Sequence, residues 1–450
     1  MPDLTPGDPR ERIVPLTYEQ EWYHANIRRS TRARRNVRLS YEIRGPFDPD
    51  AFTEAVHGFV ARHDALRMDL VARPGADAPA QRVRPLAPGE RIVLHQSVTA
   101  ASERQFTTYA SALHSRDFLA PWADGERPYT FRLLRYADDH HAFLATFQNV
   151  VFDGRAHELF ARETWRDYRT LLAGGSPPLA APSFAEAALR QRGRYGAGHL
   201  DRARESWRER LEFAARTAWN RPGHAEPTSD GTVHAQLAGE DAVAFHRACE
   251  RLRCTAMQLL VASFVRALSA CAGADRVTVW TSMDSRQTAE RDVVGMFAGV
   301  SPLAVRAAGA DLPDVLVEVR RRMLDALRYQ QIPASELSAL AAESAADGAD
   351  PLRRDVHVNL RRFDGPYRPT ERSGPLRVTA DAYPLRRITF GTSSALHLRC
   401  NEYRDRVLVD LVFDGRRVGR PLAQALLDRM VRTAVAPAET PSTPSTPRTP

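Results

Sequence analysis

Eight residues, Phe147-Gln148-Asn149-Val150-Val151-Phe152-Asp153-Gly154, close an apolar run and lead at once into an amphipathic pattern through Leu159, Phe160, Trp165 and Tyr168. A strand that turns sharply into a helix has the shape of a catalytic corner. Asp153-Gly154 reads as the turn itself, one that a bulkier pair could not make. Gln148 and Asn149, just upstream, are amides. An amide takes no proton at neutral pH, so Asn149 cannot act as a general base, and lacking one typically forfeits about 10²–10⁴ in rate. Asn149 can still donate a hydrogen bond to an oxyanion. It can equally accept one from a nucleophile that needs positioning rather than deprotonation.

Other residues could supply the missing base. His157 lies one turn into the helix after Gly154 and reads as a surface or helix-N-terminal histidine. His357 and Asn359 alternate with Val356 and Val358, so both would face a cleft or tunnel between two lobes, and His357 is the better outside base. His397 is a weaker candidate, and His140-His141, at a strand entry, read as solvent-facing. The 63 basic residues are all arginine, which excludes lysine Schiff-base and lysine general-base chemistry. Patterns for a nucleophile elbow, a phosphate-binding loop, a dinucleotide fingerprint or a zinc helix are absent.

The corner needs a frame. Upstream, the sequence predicts a helix over 17–27, a strand over 37–43, and a helix opened by Asp48-Pro49 and faced by Phe52, Val56, Phe59 and Val60. Strands follow over 91–95, 129–136 and 142–149, then a helix over 155–172 that ends at Gly174-Gly175 before two prolines. Residues 184–213 read as a long helical stretch interrupted near Gly196. Strands over 232–237, 276–281, 356–360, 396–400 and 407–413 alternate with helices over 241–252, 255–271, 312–329 and 418–435. This pattern predicts an N-terminal lobe over 15–176, a linker over 177–183 and a C-terminal lobe over 184–436. A flexible leader (1–14) and a disordered Pro/Thr/Ser-rich tail (437–450) flank them.

At 450 residues, two lobes of α/β character are the expected architecture, with any ligand site between them. No window has the ~20 apolar residues of a membrane span, and the first residues do not resemble a signal peptide, so a cytoplasmic protein is expected. Cys249, Cys254, Cys271 and Cys400 lack metal spacing and read as buried free thiols. The net charge of +8 suits acidic partners, but the arginines are scattered among 55 carboxylates, which argues against nucleic acid. Only Arg28 to Arg35 is dense, and it reads as a solvated loop. A monomer suffices for the fold.

Five segments in order carry a resemblance. They are Pro15-Leu16-Thr17-Tyr18-Glu19-Gln20, Arg62-His63-Asp64-Ala65-Leu66-Arg67, the corner, Gly295-Met296-Phe297 with Ser301-Pro302-Leu303, and Tyr329-Gln330-Gln331-Ile332-Pro333. From about Pro15 to Val435 the chain resembles the condensation domains of nonribosomal peptide synthetases, in the chloramphenicol-acetyltransferase-like superfamily. The resemblance implies an α/β layered fold of two lobes in a V, with the site in a tunnel between them. It lays the family's His-His-x-x-x-Asp-Gly motif on Gln148 to Gly154, with both histidines missing. It further implies that Asp153 is structural and pairs with Arg286, that Gln148 is structural, and that Gly154 lets its backbone N–H approach the reacting carbonyl. A family asparagine near Gly299 is also replaced. The expected function is that of a free-standing acyltransferase, moving an acyl or aminoacyl group from a carrier-protein thioester to an amine or alcohol. No bound cofactor is expected, because the phosphopantetheine arm of an acidic acyl or peptidyl carrier protein, acting in trans, delivers the substrate. The alternatives are a non-catalytic docking or recruitment module, and cyclisation or dehydration of a tethered intermediate.

Overall fold

A computed structural model describes residues 12–29, 36–73, 75, 78–122, 125–216, 231–307, 309–345, 350–362, 370–383, 394–403 and 405–436. In chain order the first part comprises β1 (Arg12–Pro15), α1 (Tyr18–Arg29), β2 (Asn36–Arg44), α2 (Pro49–Arg62), β3 (Met68–Val71), β4 (Ala80–Val83), β5 (Val93–Ser97), α3 (Glu103–Leu119), β6 (Tyr129–Ala137), β7 (His140–Gln148) and α4 (Gly154–Leu172). Two helices, α5 (Phe184–Arg194) and α6 (Ala197–Arg216), lead onward. Then come β8 (Gly231–Ala238), α7 (Glu240–Arg251), α8 (Ala256–Ala272), β9 (Arg276–Asp284), β10 (Ala298–Arg306), α9 (Leu312–Tyr329), α10 (Ala334–Ser344), β11 (Val356–Arg362), β12 (Thr370–Ser373), β13 (Leu376–Ala380), β14 (Leu396–Glu402), β15 (Arg406–Phe413) and α11 (Arg420–Val435).

Each lobe has its own six-stranded sheet, ordered β12-β13-β2-β7-β6-β5 in the first and β10-β9-β11-β14-β15-β8 in the second. β7 explains why the run before the corner is apolar without alternation. One face, Phe143, Ala145 and Phe147, packs with Phe52, Phe59, Leu159 and Phe160 of α2 and α4. The other face, Ala142 and Leu144, packs with Phe106, Ala110 and Leu113 of α3. A strand buried on both sides reads as continuous hydrophobicity. In the second lobe Val279, Val358, Leu398 and Val409 bury one sheet face against α8 and α11. The opposite face carries Trp280, Ser282, His357 and His397; Trp280 is buried in a separate cluster with Trp207 and Leu337, while Ser282, His357 and His397 are half-buried. The Asp48 side chain caps α2 with Pro49 in its first turn, and Gly174 takes a φ of +74° just past α4.

The predicted partition needs three corrections. Residues 12–14, assigned above to the leader, form with Pro15 the strand β1, paired with β4 in a third, three-stranded sheet. α5, assigned above to the C-terminal lobe, packs on the first: Phe184, Ala185 and Ala187 join its core. The Asp64 carboxylate fixes it there, accepting from Phe184 N (2.7 Å) and Ala185 N (3.1 Å). Finally, β13 pairs with β2 of the first sheet from Arg377↔Arg44 to Ala380↔Tyr41, because β2 would otherwise present an unpaired edge. The tail and the side chains of the Arg28–Arg35 run lie outside the described residues. Among the described residues no single helix is long and apolar enough to cross a membrane.

Candidate active site

The corner is built by its three apolar residues. Val150, Val151 and Phe152 are buried, and the Phe152 ring folds back to stack on Phe147 with centroids 3.8 Å apart. Val151 N and Phe152 N donate to Gln148 O and Asn149 O, and Gln20 of α1 donates from Nε2 to Val150 O at 2.9 Å. The backbone of residues 148–152 is therefore fixed by bonds within the turn and by one from α1. Their side chains are not: both residues are half-buried, and among the described residues neither amide has a hydrogen-bond partner. The structural role assigned above to Gln148 rests on its backbone alone.

Asp153 gathers four bonds around one buried carboxylate. It caps α4 by accepting from Ala156 N at 2.9 Å. It accepts two from Arg286, Nη1 to Oδ2 at 2.7 Å and Nη2 to Oδ1 at 3.0 Å, and one from Phe297 N at 2.9 Å. Arg286 follows β9 and Phe297 precedes β10, so this carboxylate joins the two lobes. Arg286 also donates to Gly295 O (3.0 Å), and its guanidinium lies 4.3 Å from the Phe297 ring centroid. Burial works against the charge on Arg286, but the Asp153 carboxylate outweighs it and holds the guanidinium more firmly protonated than usual. Gly295 is required by contact: a Cβ there would lie 2.2 Å from the Phe184 ring.

Gly154 differs from the turn glycine that its sequence suggests. It is the first residue of α4 without a positive φ, and a Cβ built on it would meet nothing within 4 Å. The turn does not require glycine, and the space over Gly154 is open.

The candidate bases separate clearly. His157 is 6% exposed rather than at the surface, and burial brings its pKa down to about 4. It is a neutral core residue. His140 and His141 are also buried rather than solvent-facing, His140 against Glu42 (3.1 Å) and Phe106, His141 against Phe47. His357 is half-buried, with Nε2 3.4 Å from Ser282 Oγ and its ring stacked on His397 at 4.4 Å. Ser282 escaped the sequence reading because the predicted strand stopped at 281, although its alternation with Thr281 and Met283 continues. Of the cysteines, Cys400 is buried and the other three are half-buried.

A polar seam extends the junction below the corner. Glu19 of α1 accepts from Gln191 Nε2 at 2.8 Å and from Gln331 Nε2 at 2.7 Å. At Gly299 a Cβ would lie 2.7 Å from Gln330 Oε1 and 3.6 Å from Glu19 Cγ. A side chain at that position would displace Gln330.

A family model described as "Condensation domain" matches residues 10–362. The chain is 28% identical over 348 residues to AMB antimetabolite synthetase AmbB of Pseudomonas aeruginosa, covering 75% of this chain and 26% of that protein. It thus spans about a quarter of that relative's length. The first condensation domain of the CDA synthetase superposes with a TM-score of 0.70 at 18% identity, covering 95% of this chain and 98% of that one. The X-domain from teicoplanin biosynthesis, in its complex with OxyB, gives 0.71 at 19% identity over 96% and 94%. The mixed α/β architecture is the chloramphenicol-acetyltransferase-like fold of those structures.

Proposed function

The chain belongs to the condensation-domain family, and from that premise we propose that it transfers an acyl or aminoacyl group from a carrier-protein thioester to an amine or alcohol, with Asn149 positioning the reactants. Condensation domains form amide bonds in nonribosomal peptide synthesis on substrates that carrier proteins deliver on phosphopantetheine arms. The observation that carries the reading is the Asn149 amide, unengaged among the described residues, on a corner whose backbone is clamped from both lobes and whose Gly154 has open space over it.

A neutral amine needs no prior deprotonation. It attacks the thioester carbonyl, the C–N bond forms as the C–S bond breaks, and the proton released passes to the departing thiolate. What such a reaction needs is alignment and a donor to the developing oxyanion, which the Asn149 amide or the Gly154 N–H can supply. An alcohol acceptor needs a base in addition, and His357 beside Ser282 is the candidate. Acidic carriers suit the arginine-only surface.

The test compares wild type, Asn149→Ala and Asn149→His on a carrier-loaded donor. Removing a positioned donor is expected to lower kcat by about 10²–10³. Full activity in Asn149→Ala would show that the corner is not the catalytic centre. A second reading, recruitment of a partner enzyme, is favoured by the fold shared with the X-domain, whose structure holds OxyB. It prevails if carrier protein binds while no variant turns over.

A further inference from the structure

Between the lobes lies an arginine that no described carboxylate pairs with. Arg354 enters β11 half-buried, and among the described residues its guanidinium has no hydrogen bond and no carboxylate partner. Asp355, its neighbour, is taken by Arg353 (2.9 Å) and Arg417 (2.6 Å). Instead, two tryptophans hold Arg354. The guanidinium lies 4.1 Å from the Trp22 ring centroid, on α1 of the first lobe, and 5.9 Å from that of Trp280, on β9 of the second. The two indoles are 6.4 Å apart. Burial without a neutralising partner brings the Arg354 pKa down to about 9.

Partly buried charges are normally paired. Stacking on indole occupies the face of a guanidinium and leaves its in-plane N–H donors free at the edge, in the fork that binds a carboxylate bidentately. On the same sheet face Trp280 pairs in register with His357, and Ser282 is one step further along β9. Trp280 is itself only 1% exposed, packed among Trp207 and Leu211 of α6 and Leu337 of α10, so the accessible indole at Arg354 is the half-buried Trp22. Trp22 lies on α1, the helix whose Gln20 bonds Val150 O of the corner.

We propose that Arg354, clamped by Trp22 and Trp280, seats the free carboxylate of the acceptor substrate, with the acceptor's flat or apolar body against Trp22. This rests on the transfer reading above and narrows it. An acceptor tethered through its carboxyl has no such group to offer, so the acceptor is a diffusible amino or hydroxy acid, or one carrying a second carboxyl.

The test is calorimetric binding to the full chain, which requires neither carrier nor turnover and so stands apart from the Asn149 experiment. The probes are 4-aminobenzoate and 4-aminobenzamide, alike in shape and different in charge. Wild type is expected to bind the carboxylate at least about tenfold more tightly, as a charge-assisted bidentate pair implies. Arg354→Gln should erase that preference at an unchanged thermal midpoint, while Arg354→Lys should keep part of it. Equal binding of the two probes by wild type, or a preference that survives in Arg354→Gln, would overturn the proposal. Phosphopantetheine and pantetheine form a second pair. A charge preference seen only there would assign the anion to the carrier arm and overturn the acceptor assignment.

Discussion

Gly154 and Gly295 would respond oppositely to one added methyl group. At Gly154 the methyl enters open space at the start of a helix, so Gly154→Ala should keep stability within about 0.5 kcal/mol. If the proposed approach of a carbonyl to that backbone is right, transfer should fall nonetheless; a thermal midpoint and kcat measured together decide. At Gly295 the methyl collides with Phe184, and Gly295→Ala should cost about 1–3 kcal/mol in chemical denaturation. His157 gives a pH dependence. Its pKa is about 4 in the fold against the usual 6.5, so between those values the unfolded chain binds a proton that the folded chain refuses. Stability is full above pH 6.5 and falls as pH drops toward 4, by about 3 kcal/mol, and His157→Gln should flatten that slope in denaturation curves taken across this range. The chemistry of an amide was legible in the sequence at Asn149. The burial of His140, His141 and His157 was not, because the residues that cover them, such as Glu42, Phe47 and Phe106, come from elements distant in sequence.

Between elements, the Asp153–Arg286 contact ties the start of α4 to the turn after β9. Arg286→Met would leave the Asp153 carboxylate buried and unpaired, with an expected loss of about 3–5 kcal/mol in urea unfolding. Adding Asp153→Asn should recover part of that loss, since the amide oxygen can still cap α4 and carries no charge. Additive losses would show that the two side chains act independently. Elements with strong local signals were legible: α2 through Asp48-Pro49, α4 and α9 through their apolar periodicity. β10 was not, since Gly299 and Pro302 interrupt its pattern; it is an edge strand, where a proline is tolerated. α10 and β13 carry little of their own periodicity and are held by what they pack on or pair with.

For the whole molecule, the net charge of +8 on a lysine-free surface predicts that affinity for an acidic carrier protein falls as ionic strength rises. A dissociation constant unchanged between low and high salt would show that general charge does not recruit the partner. The two-lobe plan was legible because strands and helices alternate on either side of Gly174-Gly175. The allocation of α5 and β13 was not, because it depends on contacts across the whole chain: Asp64 with Phe184, and Tyr41 with Ala380. That last pairing bears on how the protein is made. The first sheet is complete only when a strand synthesised about 340 residues after β2 has arrived. Until then β2 is an open edge on the ribosome, available to any other unpaired strand. The first lobe produced alone, ending at the predicted linker, is therefore expected to aggregate, and supplying residues 370–383 as a peptide is the natural rescue.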